Sequence, residues 1–194
     1  MLRRTAFCLA LSALVFAGEF TSHTSPGSSS TAKITQNKQL PKPARRVPAS
    51  TQVPSLQVPS SQVPSLKSSE LEKSVFEQIN RYRAAKGLSK LRLNANISKQ
   101  ARVHSQNMAN GKVPFSHQGF ERRVNAMSIT YRSAAENVAY NLGFDDPVAE
   151  AVRGWIKSPG HLKNIKGTYN LTGIGVASNS KGEVYLTQIF LTSP

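Results

Sequence analysis

Three tandem copies of a five-residue unit divide the chain and confine any folded core to the residues beyond Leu66. They read Gln52-Val-Pro-Ser-Leu56, Gln57-Val-Pro-Ser-Ser61 and Gln62-Val-Pro-Ser-Leu66. Proline every fifth residue removes backbone donors and fixes φ, which favours polyproline II over helix or sheet. The wider segment, residues 18–69, is dominated by Ser, Thr, Pro, Gln and Lys, with Phe20 its only aromatic. So little apolar surface cannot offset chain entropy, and the composition predicts a disordered linker. Fully extended, such a spacer reaches ~160 Å, and as a flexible coil ~40 Å. It is expected to hold a domain away from whatever retains the N terminus.

Residues 1–17 have the composition of an export signal. Arg3 and Arg4 precede a mostly apolar run of 14 residues, Thr5 to Gly18. That run is too short for a membrane-spanning helix and suits a signal h-region, with cleavage expected after Ala17. Cys8, the only cysteine, lies inside it. Phe7 before it and its early position argue against a lipoprotein site. Removal of the signal leaves no cysteine, so the exported domain must be held by its core alone. A bacterial secreted, periplasmic or envelope-associated location is expected.

The formal net charge of +15 is uneven. Residues 1–17 contribute +2, residues 18–69 contribute +5, and residues 70–194 contribute +8 from seventeen basic and nine acidic side chains. An exported basic protein favours anionic envelope polymers or lipids. Nucleic acid is also anionic, but no recognisable binding motif supports a specific nucleic-acid partner.

Helical and strand patterns begin at Ser69. Ser69-Glu70-Leu71-Glu72 fits a capping box, Leu71, Val75, Ile79 and Tyr82 form an apolar stripe, and Gly87 supplies a stop. A second helix is expected over residues 95–110, with Ile97, Ala101, His104 and Met108 on one face. Asp146-Pro147 opens a third, the aspartate as cap and the proline at the first helical position. A hairpin over residues 173–191 turns at Ser178-Asn-Ser-Lys-Gly182. Helices first and strands last predict an α+β domain, residues 70–194, with helices packed on a sheet.

Three segments carry the chemistry. In residues 155–165 Ser158 is placed to cap a helix, Pro159 starts it, and His161 falls at its third position. There the helix dipole favours neutral imidazole, which accepts a hydrogen bond or ligates a metal. The same letters also describe a simple helix break with an exposed histidine. Phe115-Ser116-His117 follows Pro114, and Ala134-Ala135-Glu136-Asn137-Val138-Ala139 sets one carboxylate in an apolar run. A buried carboxylate needs a partner, and the histidines are natural candidates. The intervals His117–Glu136 and Glu136–His161 match no local metal motif, so convergence rests on the fold. His104 is expected to be a satisfied core histidine, Asn80 a buried polar partner and Trp155 a core residue. Ser116 beside His117 lacks a nucleophile-elbow context. Arg122, Arg123, Arg132, Lys157, Lys163 and Lys166 flank these segments as a basic rim or as ordinary solvated surface.

Taken together, several segments resemble the CAP superfamily, also called the SCP-like extracellular domain, in its short cysteine-free bacterial form. They are Ile79-Asn80-Arg81-Tyr82-Arg83, His104-Ser105-Gln106-Asn107-Met108-Ala109, Phe115-Ser116-His117, Glu136-Asn137-Val138-Ala139, residues 155–165, Gly173-Ile174-Gly175-Val176-Ala177 and Tyr185-Leu186-Thr187-Gln188-Ile189-Phe190. The resemblance implies a three-layer α-β-α sandwich with a central cleft holding His117, His161 and Glu136, supported by Asn80, Asn137, Trp155 and Ser158. It also implies a divalent metal, such as Zn²⁺, in some members. Ala135 replaces the family's glycine, and Ser158 stands where a second acid is expected. The leading functional expectation is a binding module for an anionic or lipidic envelope component. The alternatives are a metal-dependent hydrolase using the His/Glu/His cleft, and a structural module without ligand.

Overall fold

The computed structural model describes residues 7–16 and 63–194, with side chains from Ser68 onward. The Gln-Val-Pro-Ser copies at residues 52–61 and the body of the linker lie outside the described residues. Helix α1 spans Val63–Ala85, α2 Ala95–Ala109, α3 Phe120–Asn125, α4 Pro147–Lys157 and α5 Pro159–Lys166. The strands are β1 (Phe7–Phe16), β2 (Arg92–Leu93), β3 (Ser133–Leu142), β4 (Leu171–Ser178) and β5 (Glu183–Thr192). Among the described residues no helix is long and apolar enough to cross a membrane.

The capping box expected at Ser69 is not used. Helix α1 begins earlier, at Val63, and draws the third Gln-Val-Pro-Ser copy into its first turn, where proline is tolerated. Glu72, freed from a capping role, points inward. It accepts from Arg102 Nη2 at 2.7 Å and from the Val176 backbone N–H at 3.2 Å. One carboxylate thereby ties α1 to α2 and β4. The α1 stop is as expected: Gly87 takes φ +70° and the Leu88 N–H returns to the Arg83 carbonyl at 2.9 Å. Arg83, 2 % exposed, donates to the carbonyls of Ser89, Ile165, Gly167 and Tyr169, stitching the end of α1 to the turn that leads from α5 into β4.

The sheet order is β1-β3-β5-β4-β2. Pairs β1–β3, β3–β5 and β4–β5 are antiparallel, and two-residue β2 runs parallel to β4. The helices-then-strands order expected from sequence is therefore incomplete, because β3 lies mid-chain and pairs with the last strand. Its apolar run lacks the period-2 alternation of a half-exposed strand because helices cover both its faces.

Strand parity separates two cores. Ala135 and Ala139 face Val75, Ile79, Val152, Trp155 and Ile165 of α1, α4 and α5, along with Ile174 and Phe190. Ala134, Ile189 and Leu191 face Ile97, Ala101, Phe120, Val124 and Met127 around α2 and α3. The result is the expected three-layer α-β-α sandwich. Helix α2 lies almost against the backbone of β4. A Cβ on Gly175 would sit 2.2 Å from the Ala101 carbonyl carbon, and one on Gly173 2.2 Å from the Ser98 nitrogen. Gly175→Ala is expected to cost about 3 kcal/mol, since the obstacle is helix backbone rather than a movable side chain. Urea unfolding measures it, and an unchanged midpoint would refute the close approach.

Candidate functional site

The site is built on β3 and on the loop and short helix that precede it. Glu136 shares strand parity with Ala134 and so lies on the α2/α3 side, fully buried. Helix α3 starts after Gly119, which takes φ +76°. Phe120 and Val124, four residues apart, bury one face of α3 in the core. Arg123 beside them reaches Glu136, donating from Nη2 at 2.7 and 2.8 Å to its two carboxylate oxygens and from Nε at 3.1 Å. His117 Nδ1 is 2.8 Å from Glu136 Oε1. Glu136 is thus the buried acceptor of a bidentate guanidinium and an imidazole, geometry that stabilises an ionised carboxylate away from water.

His104 closes the arrangement from α2. Its Nε2 lies 2.8 Å from the Ser116 carbonyl, which fixes the segment carrying His117 and fits its expected role as a satisfied core histidine. Burial lowers its pKa, the Arg123 charge lowers it further, and the Glu136 charge only partly opposes both. Ser116 Oγ is turned to the Pro114 carbonyl rather than to His117.

His161 occupies the third position of α5, as expected, but is 3 % exposed, so it is not an exposed first-turn residue. It belongs to the layer on the other side of the sheet. There its carbonyl accepts from Asn137 Nδ2 at 3.3 Å, and Asn164 Nδ2 donates to Asn137 Oδ1 at 2.8 Å. Asn137 therefore anchors the α5 turn to β3. Trp155 is fully buried and donates from Nε1 to the Val138 carbonyl at 3.2 Å. Ser158 is positioned as the cap of α5, but its hydroxyl makes no capping bond and its backbone carbonyl accepts from the Leu162 N–H. Asn80 exchanges two hydrogen bonds with the Leu91 backbone, as a buried polar partner should.

The structure thus joins His117 to Glu136 and sets His161 apart from them. Arg123 is the residue that sequence reasoning missed, because a basic residue in a basic segment reads as surface. The four-residue spacing of Phe120 and Val124 was the signal that this segment folds onto the core. A divalent ion shared by His117, Glu136 and His161 does not fit this arrangement, since both Glu136 oxygens already accept from Arg123. Among the described residues no three His, Cys, Asp or Glu side chains are grouped to hold a metal.

The profile of the cysteine-rich secretory protein family, CAP, matches residues 76–190, which contain every residue of this site. The chain belongs to the CAP family. Over 123 residues this CAP chain is 37% identical to the uncharacterized protein YkwD of Bacillus subtilis, covering 60% of the chain and 46% of that protein. It spans less than half the length of this curated relative. Two solved structures share the fold. An extracellular protein containing an SCP domain from Bacillus anthracis superposes with a TM-score of 0.58 at 22% identity, covering 71% of this chain and 45% of that one. An outer surface protein from Borrelia burgdorferi gives 0.57 at 16% identity, covering 64% and 94%.

Substitutions at three positions probe the site in the CAP domain. Arg123→Ala strands the Glu136 carboxylate and is expected to cost about 3–5 kcal/mol, while Arg123→Met with Glu136→Gln recovers most of that loss. Additive losses in a double-mutant cycle by urea unfolding would count against the ion pair. His104 binds its proton less readily folded than unfolded. Stability is therefore full above the unfolded value of 6.5 and falls as pH drops below it toward the lowered folded pKa. His104→Gln should flatten that limb of the pH–stability curve, and an unaltered limb would assign it to other groups.

Proposed function

We propose that this CAP chain is an exported, envelope-associated binding module that engages an anionic polymer or lipid through its basic surface and does not turn it over. The observation that carries the reading is the closed Arg123–Glu136–His117 set. A carboxylate whose two oxygens both accept from Arg123 is committed to holding α3 and the 115–117 segment on β3, which leaves it badly placed to engage a substrate or a metal. The hydrolase alternative would first have to release Glu136 from Arg123.

The charge supports the choice of partner. Seventeen basic side chains against nine acidic ones in residues 70–194 leave a strong surplus. Lys157, Lys163 and Lys166 are exposed along α4 and α5 without a carboxylate partner among the salt bridges of the described residues. The export-signal composition of residues 1–17 and the extracellular and outer-surface descriptions of two fold relatives agree with delivery to the envelope.

Sedimentation with purified wall polymer and with anionic vesicles tests the proposal. Binding is expected to fall several-fold between about 0.05 and 0.5 M salt as the screening length shortens from roughly 14 to 4 Å. Replacing Lys157, Lys163 and Lys166 together by Gln should weaken it at low salt. Binding to neither material, or binding indifferent to salt, would overturn the reading.

A further inference from the structure

The C terminus of α2 and the turn between β4 and β5 enclose a groove of about 1230 Å³. Its walls are fixed by one side chain. Asn179, in that turn, donates to the Ala109 carbonyl at 3.2 Å and to Glu183 Oε2 at 2.5 Å. Its Oδ1 accepts from the backbone N–H groups of Lys181 and Glu183. The turn is thereby pinned to the end of α2. Gly111 at φ +68° and Gly182 at φ +78° allow the tight bends on either side. A groove held this firmly loses little freedom when a ligand fills it.

Tyr185 lines the groove, and other aromatic rings brace it. Tyr140, its partner in register on β3, lies 5.1 Å away between ring centroids. Phe115 tilts against both, at 6.2 Å from Tyr140 and 6.5 Å from Tyr185. All three rings are partly exposed. The hydroxyls of Tyr140 and Tyr185 donate to Glu183 at 3.3 and 3.4 Å. Burial, and after it the Glu183 charge, raises both phenol pKa values, so the hydroxyls stay protonated. The Asn179 amide lowers that of Glu183 and keeps it ionised. The tyrosine bonds are longer than the ~2.7 Å of a strong O–H···O contact, so Glu183 retains capacity to accept from a ligand. Lys112 and Lys181 complete the lining with two ammonium groups.

This mixture selects one class of ligand. An acyl chain needs a continuous apolar lining, which Asn179, Ser180 and the lysines interrupt. A phosphate would be repelled by the Glu183 carboxylate, and a divalent ion would find only that one carboxylate to hold it. A β-1,4-linked sugar chain meets each demand. Its rings present C–H groups on flat faces, which cover a tyrosine ring. Their edges carry hydroxyls that donate to a carboxylate and accept from amide and ammonium groups. The groove exceeds the ~300–1,000 Å³ of a drug-sized site, so it has space for several linked rings. We propose that this groove is a saccharide site, which takes a short run of uncharged β-1,4-linked hexopyranose rings against Tyr185 with Glu183 as the fixed acceptor. None of Lys157, Lys163 and Lys166 belongs to it, so the site stands whether or not those residues bind anionic polymers.

Chitotetraose and cellotetraose, both neutral, test the proposal on the full chain. In amide spectra, millimolar sugar should shift the resonances of residues 108–112 and 178–185 saturably and leave those of α4 and α5 in place. Because neither sugar is charged, affinity should change less than about twofold between low and high salt, unlike binding to an anionic polymer. Tyr185→Ala should weaken binding at least about tenfold, and Glu183→Gln about fivefold. If the Tyr185 variant loses its fold, the parent chain decides. Irradiating its aromatic protons should transfer saturation to the ring C–H protons of the bound sugar. The proposal is overturned by the absence of a saturable shift with either sugar, by shifts centred on α4 and α5, by the absence of saturation transfer, or by full affinity in the folded variants.

Discussion

A single buried carboxylate organises one side of this domain. Glu136 sits on β3 where the sheet is covered on both faces, and an ionised group there is tolerable only with full compensation. Arg123 and His117 provide it, and in doing so add a polar tie to α3, which Phe120 and Val124 already seat in the core, and to the 115–117 segment. Helix α3 is only six residues long and cannot persist alone. The 115–117 segment has no regular structure and is held through His117 on one side and through His104 at the Ser116 carbonyl on the other. Remove the charge pair and α3 keeps only its apolar face, and the 115–117 segment only the His104 contact.

On the opposite face β3 is tied to its helices by neutral groups. Asn137, Asn164 and the His161 carbonyl form a small hydrogen-bonded set, and Asn141 Nδ2 reaches the Pro147 carbonyl at 2.6 Å. Consecutive residues Glu136 and Asn137 therefore serve different layers, one by charge and one by amide. This is why the Glu-Asn pair is informative as a unit: strand parity makes it an anchor for both faces of the sheet.

Much of this was legible in the sequence. The α2 stripe, the Asp146-Pro147 start of α4, the Gly87 stop and the final hairpin are local signals, and each falls where pattern and capping chemistry put it. The family resemblance rests on residues that prove structural, including Asn80, Arg83, Trp155 and Asn137. Three features were not legible. The start of α1 at Val63 overrides the Ser69 box because Glu72 is used in a tertiary contact with Arg102 and Val176. Strand β3 was hidden because burial on both faces erases alternation. The role of Arg123 was hidden because its partner lies thirteen residues on, across a turn that spacing alone does not specify.

Arg83 places one guanidinium against four carbonyls, gathering the ends of α1, α5 and the approach to β4 at a single point. It acts as a cross-link made of hydrogen bonds, in a domain whose residues 70–194 contain no cysteine. A covalent staple requires an oxidant and a correct pairing; this one requires neither, and forms as soon as the backbone around it closes. The formation of this cross-link is therefore indifferent to the redox state of the surroundings, and no enzyme is needed to make it.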